Sequence, residues 1–450
     1  MSDTENPLMT RLRAGLEWPS WESWPEHAIA SPAPVAAAAA PVNAAERGAE
    51  VQRRRARART VDQGGPWLSL FDDRLAGRLA AEGGADLGPL AMDTFAVKGL
   101  VAIEGHVTTA GSSVRADAPP ETHTAPIVTR LEAAGAVALG TVTMHEFAFG
   151  VTGVNAWSGT APNPAALDRA PGGSSSGSAS AVADGSASFA IGTDTGGSVR
   201  IPSAFCGIAG FKPAHGTYPA DGVFPLSTTL DHVGFHAPTV ADLIRIHESL
   251  GYPTASVEAP RRIGVARQDL ELADDDVRHA IEAALDRLRE SGAELVDVAW
   301  PDPEASFIAS TGIMYSEASA IHGSGLAHHR DRYGADIAGR LDLGAQLTGP
   351  EVAAAHRLRS QLIAEVRATL ASVDVIASPT VPIIAPLLTD AADPELPQRI
   401  VANTRLGNVV GLPALSVPAP TDGPPIGLQV TGAANGRVLG IGAWAESVLA

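Results

Sequence analysis

Alternating helix and strand patterns predict an α/β fold, with helices covering both faces of a central sheet. Segments of helical periodicity and short apolar runs follow one another along most of the 450 residues, and glycine or turn residues separate them. This length suits two or three ordinary domains or one large α/β domain. With 45% hydrophobic residues, the chain has ample material for a core.

The elements can be placed in order. A helix is predicted over residues 125–134, ended by Gly135, and a buried strand over 136–139. Aspartates at 274–276 can cap a helix that has apolar positions at Ile281, Leu285 and Leu288 and ends at Gly292. Further predictions are a strand over 295–298, a helix over 351–370, and strands over 373–377, 414–417 and 426–430.

Residues 1–65 differ from the rest in composition. Trp18, Trp21 and Trp24 alternate with prolines, an alanine run follows at 36–40, and residues 53–59 are rich in arginine. We predict an N-terminal arm, helical or partly flexible, that packs on a main domain of residues 66–450 through its tryptophans. A partner-docking arm is the alternative.

Charge and cysteine content exclude several classes of protein. A formal net charge of −18 and a pI near 5.1 argue against nucleic-acid and anionic-membrane partners. The single cysteine, Cys206, excludes an intrachain disulfide and suits a reducing compartment. No apolar run is long enough for a transmembrane helix, and no signal peptide is recognised. We therefore expect a cytoplasmic monomer or homodimer with a small-molecule substrate.

The lysine content of the chain points to a catalytic lysine. Lys98 and Lys212 are the only lysines among 32 basic residues, and the others are arginines, which cannot act as bases. Lys98 lies at the end of a predicted strand, and glycine- and serine-rich clusters follow at 171–177 and 192–200. A lysine that can lose its proton, a relay serine and an attacking serine together predict a hydrolase.

These residues carry a family resemblance. The run from Gly172 to Lys212 contains Gly-Gly-Ser-Ser, Gly-Thr-Asp-Thr-Gly-Gly-Ser-Val-Arg-Ile-Pro and Gly-Phe-Lys-Pro. From about Pro89 onward the chain resembles the amidase signature enzymes. The resemblance implies one large domain with a mixed sheet, and a triad of Lys98, Ser174 as relay behind a cis Gly173–Ser174 bond, and Ser198 as nucleophile. The 24 positions from Ser174 to Ser198 match the family's interval.

The loop around Ser198 suggests how an oxyanion would be bound. A backbone that curls around its own serine directs successive N–H groups at one point. The candidate oxyanion donors are the backbone N–H groups of Thr195, Gly196, Gly197 and Ser198. Two flanking charges, Asp194 and Arg200, are interpreted as an ion pair that braces the loop. Lys98 must be neutral to accept a proton, so we expect hydroxyls and carbonyls around it rather than a carboxylate.

A second serine motif competes with this assignment. Residues 173–177 form Gly-x-Ser-x-Gly, because Ser176 stands where the family usually has glycine. This motif would make Ser175 the nucleophile of an α/β-hydrolase, but that elbow needs a preceding strand. Residues 162–171 are predicted to form a loop, which argues against it.

The sequence constrains the substrate less than it constrains the catalytic residues. Phe147, Ala148, Phe149 and Gly150 match the family's loop beside the acyl group, with core packing as the alternative. No metal is expected, since His145-Glu146 lacks the second histidine of a zinc motif. No cofactor is expected either, and neither glycine-rich cluster has the Gly-Lys-Ser/Thr ending of a phosphate-binding loop. Apolar stretches at 224–226 and 309–315 suggest a pocket for neutral acyl groups.

We therefore predict an amidase that forms an acyl-enzyme on Ser198. Its expected substrates are small apolar or aryl amides, with esters and carbamates (urethanes) as further substrates. One alternative is the glutaminase component of a tRNA-dependent amidotransferase, which needs charged groups that bind glutamine as well as a partner subunit. Another alternative is a catalytically idle scaffold of the same fold, against which the intact triad residues argue.

Overall fold

The computed structural model describes residues 6–14, 44–72, 74–76, 88–257 and 259–450. The three tryptophans of the predicted arm and its alanine run lie outside these residues. Among the described helices, none combines the length and apolar character needed to cross a membrane.

The described residues form one mixed sheet of 11 strands. The strands are β1 (Trp67–Leu70), β2 (Thr94–Lys98), β3 (Val137–Val142), β4 (Phe189–Asp194), β5 (Ala209–Lys212), β6 (His232–Ala237), β7 (Arg262–Val265), β8 (Glu294–Asp297), β9 (Val375–Pro379), β10 (Ala414–Ala419) and β11 (Ile426–Thr431). Their spatial order is β1-β3-β2-β4-β6-β5-β10-β11-β9-β7-β8. The order places β2 and β4 side by side and parallel at the centre of the site described below.

Helices flank the sheet. They are α1 (Pro7–Ala14), α2 (Ala44–Arg57), α3 (Pro126–Ala133), α4 (Ser176–Ala183), α5 (Arg200–Cys206), α6 (Val240–Ser249), α7 (Arg267–Glu271), α8 (Asp275–Glu290), α9 (Pro303–His329), α10 (Ala335–Ala345), α11 (Gly349–Leu370), α12 (Leu396–Ile400), α13 (Arg405–Val409) and α14 (Asn435–Leu449). The predicted single α/β domain with helices around a mixed sheet is confirmed.

Strand β2 shows why both faces of the sheet are covered. Phe95 and Val97 belong to one apolar cluster, and Ala96 between them belongs to another. Successive side chains of a strand point to opposite faces, so each face of β2 contacts its own core. The Phe95 ring stacks on Phe189 of β4, with 5.3 Å between ring centroids.

Most of the predicted elements are present. Helix α3 ends before Gly135, whose φ is 103°, and β3 follows it as predicted. Helix α8 buries Ile281, Leu285 and Leu288. Asp274 is its N-cap residue, but its side chain accepts a hydrogen bond from Arg399 instead of from the helix backbone. The predicted elements near 295, 351, 373, 414 and 426 correspond to β8, α11, β9, β10 and β11.

The described parts of the N-terminal region contact the main body of the protein. Met9 and Leu12 of α1 are buried in a cluster with Phe307 of α9. In α2, Arg54 donates hydrogen bonds to the carbonyl oxygens of Gly185 and Ala187, at 3.2 and 3.1 Å. These arginine contacts fix α2 against the loop between α4 and β4.

Candidate active site

Lys98 ends strand β2 in a fully buried position. Its Nζ donates hydrogen bonds to Ser174 Oγ and Thr193 Oγ1, each at 2.8 Å. Burial lowers the pKa of Lys98 from 10.5 to about 7, against the opposing charges of Asp194 and Asp231. The expected hydroxyl partners are therefore present. A large fraction of this amine is neutral near pH 7, so it can accept a proton.

Ser174 precedes helix α4 and follows a cis peptide bond with Gly173. Its side chain is fully buried, and its carbonyl oxygen accepts a hydrogen bond of 3.0 Å from the His145 backbone N–H. The cis bond that the resemblance implied is thus present at the implied position. The hydroxyl of Ser174 faces the amine of Lys98.

Ser198 lies in the loop between β4 and α5. The chain at Ser198 lies next to the serine cluster, because its carbonyl accepts a hydrogen bond of 3.3 Å from the Ser175 N–H. Ser198 is 4% exposed, and it lines a cavity of about 790 Å³. The structure therefore brings the two serine clusters together and gives Ser198 access to a substrate-sized space.

Asp194 and Arg200 form a fully buried ion pair at 2.8 Å. The Asp194 carboxylate also accepts hydrogen bonds from the Gly197 N–H at 2.8 Å and from Asn408 Nδ2 at 2.8 Å. Burial opposes its ionisation, but the charge and hydrogen bonds of Arg200 outweigh burial and hold the pKa of Asp194 well below its usual range. The pair fixes the shape of the loop that carries Ser198.

One of the four predicted oxyanion donors, the Gly197 N–H, has a protein partner in this structure. The Gly197 N–H is used by Asp194, so it is not available to an oxyanion. Thr195, Gly196 and Ser198 all line the cavity, and their amides remain as candidates. The Thr195 hydroxyl is oriented by Asp231, to which it donates a hydrogen bond of 2.6 Å. Burial raises the pKa of Asp231 to about 6.

The competing serine, Ser175, is engaged with the backbone of β4. Its Oγ donates to the Thr193 carbonyl at 3.1 Å and lies 3.3 Å from the Thr193 N–H. The residues before it form a loop, as predicted, and not the strand that a nucleophile elbow requires. Ser176 starts α4, and its buried Oγ has no hydrogen-bond partner among the described residues.

Lys212, the second lysine, ends β5 and is fully buried. Its Nζ donates to the carbonyl oxygens of Pro213 and Leu412. The contact with Leu412 ties the end of β5 to the loop before β10.

The cavity beside Ser198 has both apolar and charged walls. Ala148, Phe149 and Gly150 of the predicted pocket line it, as do Leu226, Met314 and Tyr315. Phe147 lies elsewhere, in the core, where it packs on Phe224, His322 and Tyr333. The charged lining residues are Glu146, Arg332, Asp336, Arg340, Asp393 and Arg405. The lining is therefore more charged than the apolar stretches of the sequence suggested.

A second cavity, of about 400 Å³, lies beside the same loop. It is lined by Thr193, Thr195, Asp231 and the predicted apolar stretch at 224–226. Thr193 and Asp231 were not singled out from the sequence, and His145 was considered there only as a metal ligand. In the described parts of the chain, no group of three or more His, Cys, Asp or Glu side chains could hold a metal ion.

The geometry of these residues identifies the general class of enzyme. A buried, partly neutral lysine bonded to a serine, beside a second serine in a glycine-rich loop, is the arrangement of a serine hydrolase with a lysine base. The Amidase family model matches residues 73–436. The chain belongs to the amidase signature family, and it is an amidase-type enzyme that acts on C–N bonds.

Several known proteins are similar to it. One subunit of the glutamyl-tRNA(Gln) amidotransferase of Halobacterium salinarum is 36% identical over 396 residues, which are 78% of this chain and 93% of that protein. The 2-amino-5-chloromuconic acid deaminase of Comamonas testosteroni is 33% identical, over 81% of this chain and 83% of that protein. A crystal structure of an amidase superposes with a TM-score of 0.80 at 32% identity, and the match covers 90% of this chain and 95% of that one.

Proposed function

We propose that this protein hydrolyses a carbonyl C–N bond through an ester on Ser198. The observation that carries the proposal is the 2.8 Å contact between Lys98 Nζ and Ser174 Oγ. Lys98 is fully buried, and burial brings its pKa to about 7. A base poised near the working pH is suited to general acid–base catalysis.

The proposed steps conserve atoms and protons. Ser198 Oγ attacks the substrate carbonyl while its proton passes to Ser174 and the Ser174 proton passes to Lys98. The C–N bond then breaks, and the relay returns one proton to the leaving nitrogen. Water attacks the Ser198 ester by the same route, which releases the acid and restores the serine.

The oxyanion that forms during these steps needs donors at the Ser198 loop. We propose the backbone N–H groups of Thr195, Gly196 and Ser198 for this role, without that of Gly197. Loss of one such donor costs about 3 to 4 kcal/mol of transition-state stabilisation in other enzymes. The Asp194–Arg200 pair supports the site by holding the loop in shape, away from the reacting atoms.

For the substrate, the relatives favour a glutaminase within a larger enzyme over a hydrolase of neutral aryl amides. The similar amidotransferase protein is one subunit of its enzyme, and the acidic and basic side chains of the cavity suit a zwitterionic amino acid such as glutamine. Hydrolysis of aryl amides, esters and carbamates by the chain alone remains the second candidate, supported by Phe149, Met314 and Tyr315 on the cavity wall.

Purified protein separates these functions. The chain alone is incubated with glutamine, a chromogenic anilide, an ester and a carbamate, and then again with the other subunits of an amidotransferase. Glutaminase activity that needs those subunits supports the first candidate, whereas anilide turnover by the chain alone supports the second. A Ser198→Ala variant serves as the matched control. An inert wild-type protein under both conditions would indicate the scaffold.

A further inference from the structure

Arg405 differs from the other arginines of the active-site cavity. Arg332 pairs with Asp117 at 2.9 Å, and Arg340 pairs with Asp336 at 3.4 Å. Arg405 lines the same cavity, yet no carboxylate of the described chain lies within ion-pair distance of it. Its guanidinium instead lies 4.8 Å from the centre of the Phe307 ring.

Among the described residues, Arg405 has no counterion of its own, because Glu304, a carboxylate whose charge acts on it, is paired with Arg11. The side chain is half-buried, and Arg11 lies over the same Phe307 ring at 4.4 Å. Arg11 is paired with Glu304, so its own charge is balanced. Burial lowers the pKa of Arg405 to about 10, which leaves it protonated at neutral pH. A cation enclosed without a counterion is unfavourable, and a bound anion would relieve that cost.

The backbone holds Arg405 at a fixed place relative to the nucleophile loop. Thr404, the residue before it, donates a hydrogen bond of 2.7 Å from its hydroxyl to the Gly196 carbonyl. The Thr404 carbonyl in turn accepts a hydrogen bond of 2.8 Å from Arg200. An anion bound by Arg405 would therefore be held at a defined distance from Ser198.

Tyr315 offers a second donor in the same cavity. Its ring packs edge-on against Phe149, with 5.1 Å between centroids, and it lines the cavity together with Arg405. Within the described residues its hydroxyl has no hydrogen-bond partner. An arginine fork and a phenol hydroxyl are both donors to an anion, and the planar fork matches the geometry of a carboxylate.

We propose that Arg405, assisted by Tyr315, binds a carboxylate of the substrate, so that the preferred amides carry an acidic group remote from the bond that is cleaved. This inference rests on the proposed function and narrows its substrate class. Short ω-amides of dicarboxylic acids and of acidic amino acids fit the description. Neutral aryl amides lack the group that Arg405 would bind.

Binding can be tested separately from turnover. In the Ser198→Ala background, isothermal calorimetry compares glutaramate with pentanamide, which has the same chain length but no carboxylate. We expect glutaramate to bind at least about tenfold more tightly, as a charge-assisted contact requires. Arg405→Met, with Arg405→Gln as a second variant if the first unfolds, is expected to abolish this preference. Arg399→Met is the matched control, because Arg399 pairs with Asp274 on the surface.

The outcomes are distinguishable. Equal affinity for the two amides, no measurable binding of either, or an unchanged preference in folded Arg405 variants would each overturn the carboxylate site. None of these results affects hydrolysis at Ser198. Conversely, turnover that survives Ser198→Ala would refute the proposed mechanism, while a glutaramate preference lost with Arg405 would still support the site.

Discussion

Lys98 Nζ and Ser174 Oγ lie 2.8 Å apart although 76 residues separate them in sequence. Strand β2 supplies the lysine at its last position, and the segment before α4 supplies the serine. A third group, Thr193 on the neighbouring strand β4, holds the amine from another direction at 2.8 Å. Because two hydroxyls fix the position of the amine, its protonation state can control activity without movement of the side chain.

The first prediction concerns the base. Lys98→Arg is expected to lower kcat/KM by about 10²- to 10⁴-fold, nearly as far as Lys98→Met, because a guanidinium cannot accept the relayed proton. In the wild-type protein, activity is expected to rise with pH through about 7, where the pKa of Lys98 lies, and then to level off. Steady-state kinetics from pH 5.5 to 9 measure both effects. A flat profile, or a fully active arginine variant, would remove Lys98 from the relay.

The second prediction concerns the nucleophile. Ser198→Ala is expected to lower kcat by about 10⁴-fold or more, because it removes the attacking oxygen. Ser175→Ala is the matched control, since its Oγ is engaged with the backbone of Thr193. A sulfonyl fluoride is expected to add one label, at Ser198, which intact mass and peptide mapping detect. Labelling at Ser175 instead would move the nucleophile to that residue.

The sequence predicted those parts of the site that depend on local pattern. Short sequence motifs predicted three of these parts, and the structure contains each of them. They are Lys98 at a strand end, the two serine clusters and the Asp194–Arg200 ion pair. Each is recognisable because its residue type, its spacing and its flanking glycines serve one local geometry. The alternation of helices and strands likewise predicted the α/β class.

Contacts between distant segments could not be predicted in this way. Thr404 is 208 residues from Gly196, to which it is hydrogen-bonded. The hydrogen bond from the Gly197 amide to Asp194 depends on the folded shape of the loop, so the sequence alone did not show it. Phe147 and Phe149 have similar local sequence, but only the tertiary structure decides which one packs in the core and which one faces the cavity.

The third prediction is a stability change. Asp194→Asn leaves Arg200 buried without its counterion and is expected to destabilise the protein by about 3 to 5 kcal/mol. The pKa of Asp194 is depressed in the folded state, so its contribution is full above the usual carboxyl pKa and is lost as pH falls toward the folded value. Urea unfolding of the wild type and the variant at several pH values measures this. A variant as stable as wild type at pH 7 would mean that the pair does not stabilise the fold.

The fourth prediction compares adjacent glycines. Gly197 has φ 134°, and a Cβ there would lie 2.2 Å from Thr404 Oγ1. Gly197→Ala is therefore expected to lower the free energy of unfolding by at least about 1 to 3 kcal/mol. Gly196→Ala is the matched control for stability, because a Cβ at that position meets no atom within 4 Å. Equal melting temperatures for the two variants would show that the loop adapts to the added methyl group.

The fifth prediction concerns helix α1, part of the arm that was expected to pack on the main domain, with partner docking as the alternative. Leu8 lines the active-site cavity, and Arg11 of the same helix pairs with Glu304 and stacks on Phe307. Deletion of residues 1–14 would open this side of the cavity and remove Leu8 from its wall.

We therefore expect that deletion to raise KM with a smaller change in kcat, because Lys98, Ser174 and Ser198 are supplied by β2, the segment before α4 and the loop after β4. Arg11→Met is expected to raise KM in the same direction by a smaller factor. Arg53→Met, which removes an exposed pair with Glu50 on α2, is the control and is expected to leave both constants unchanged. Steady-state kinetics and thermal melts are compared for all three variants. If the deletion leaves KM at the wild-type value, α1 serves only to pack against α9. If the deletion abolishes kcat while the protein stays folded, α1 helps to position the catalytic residues.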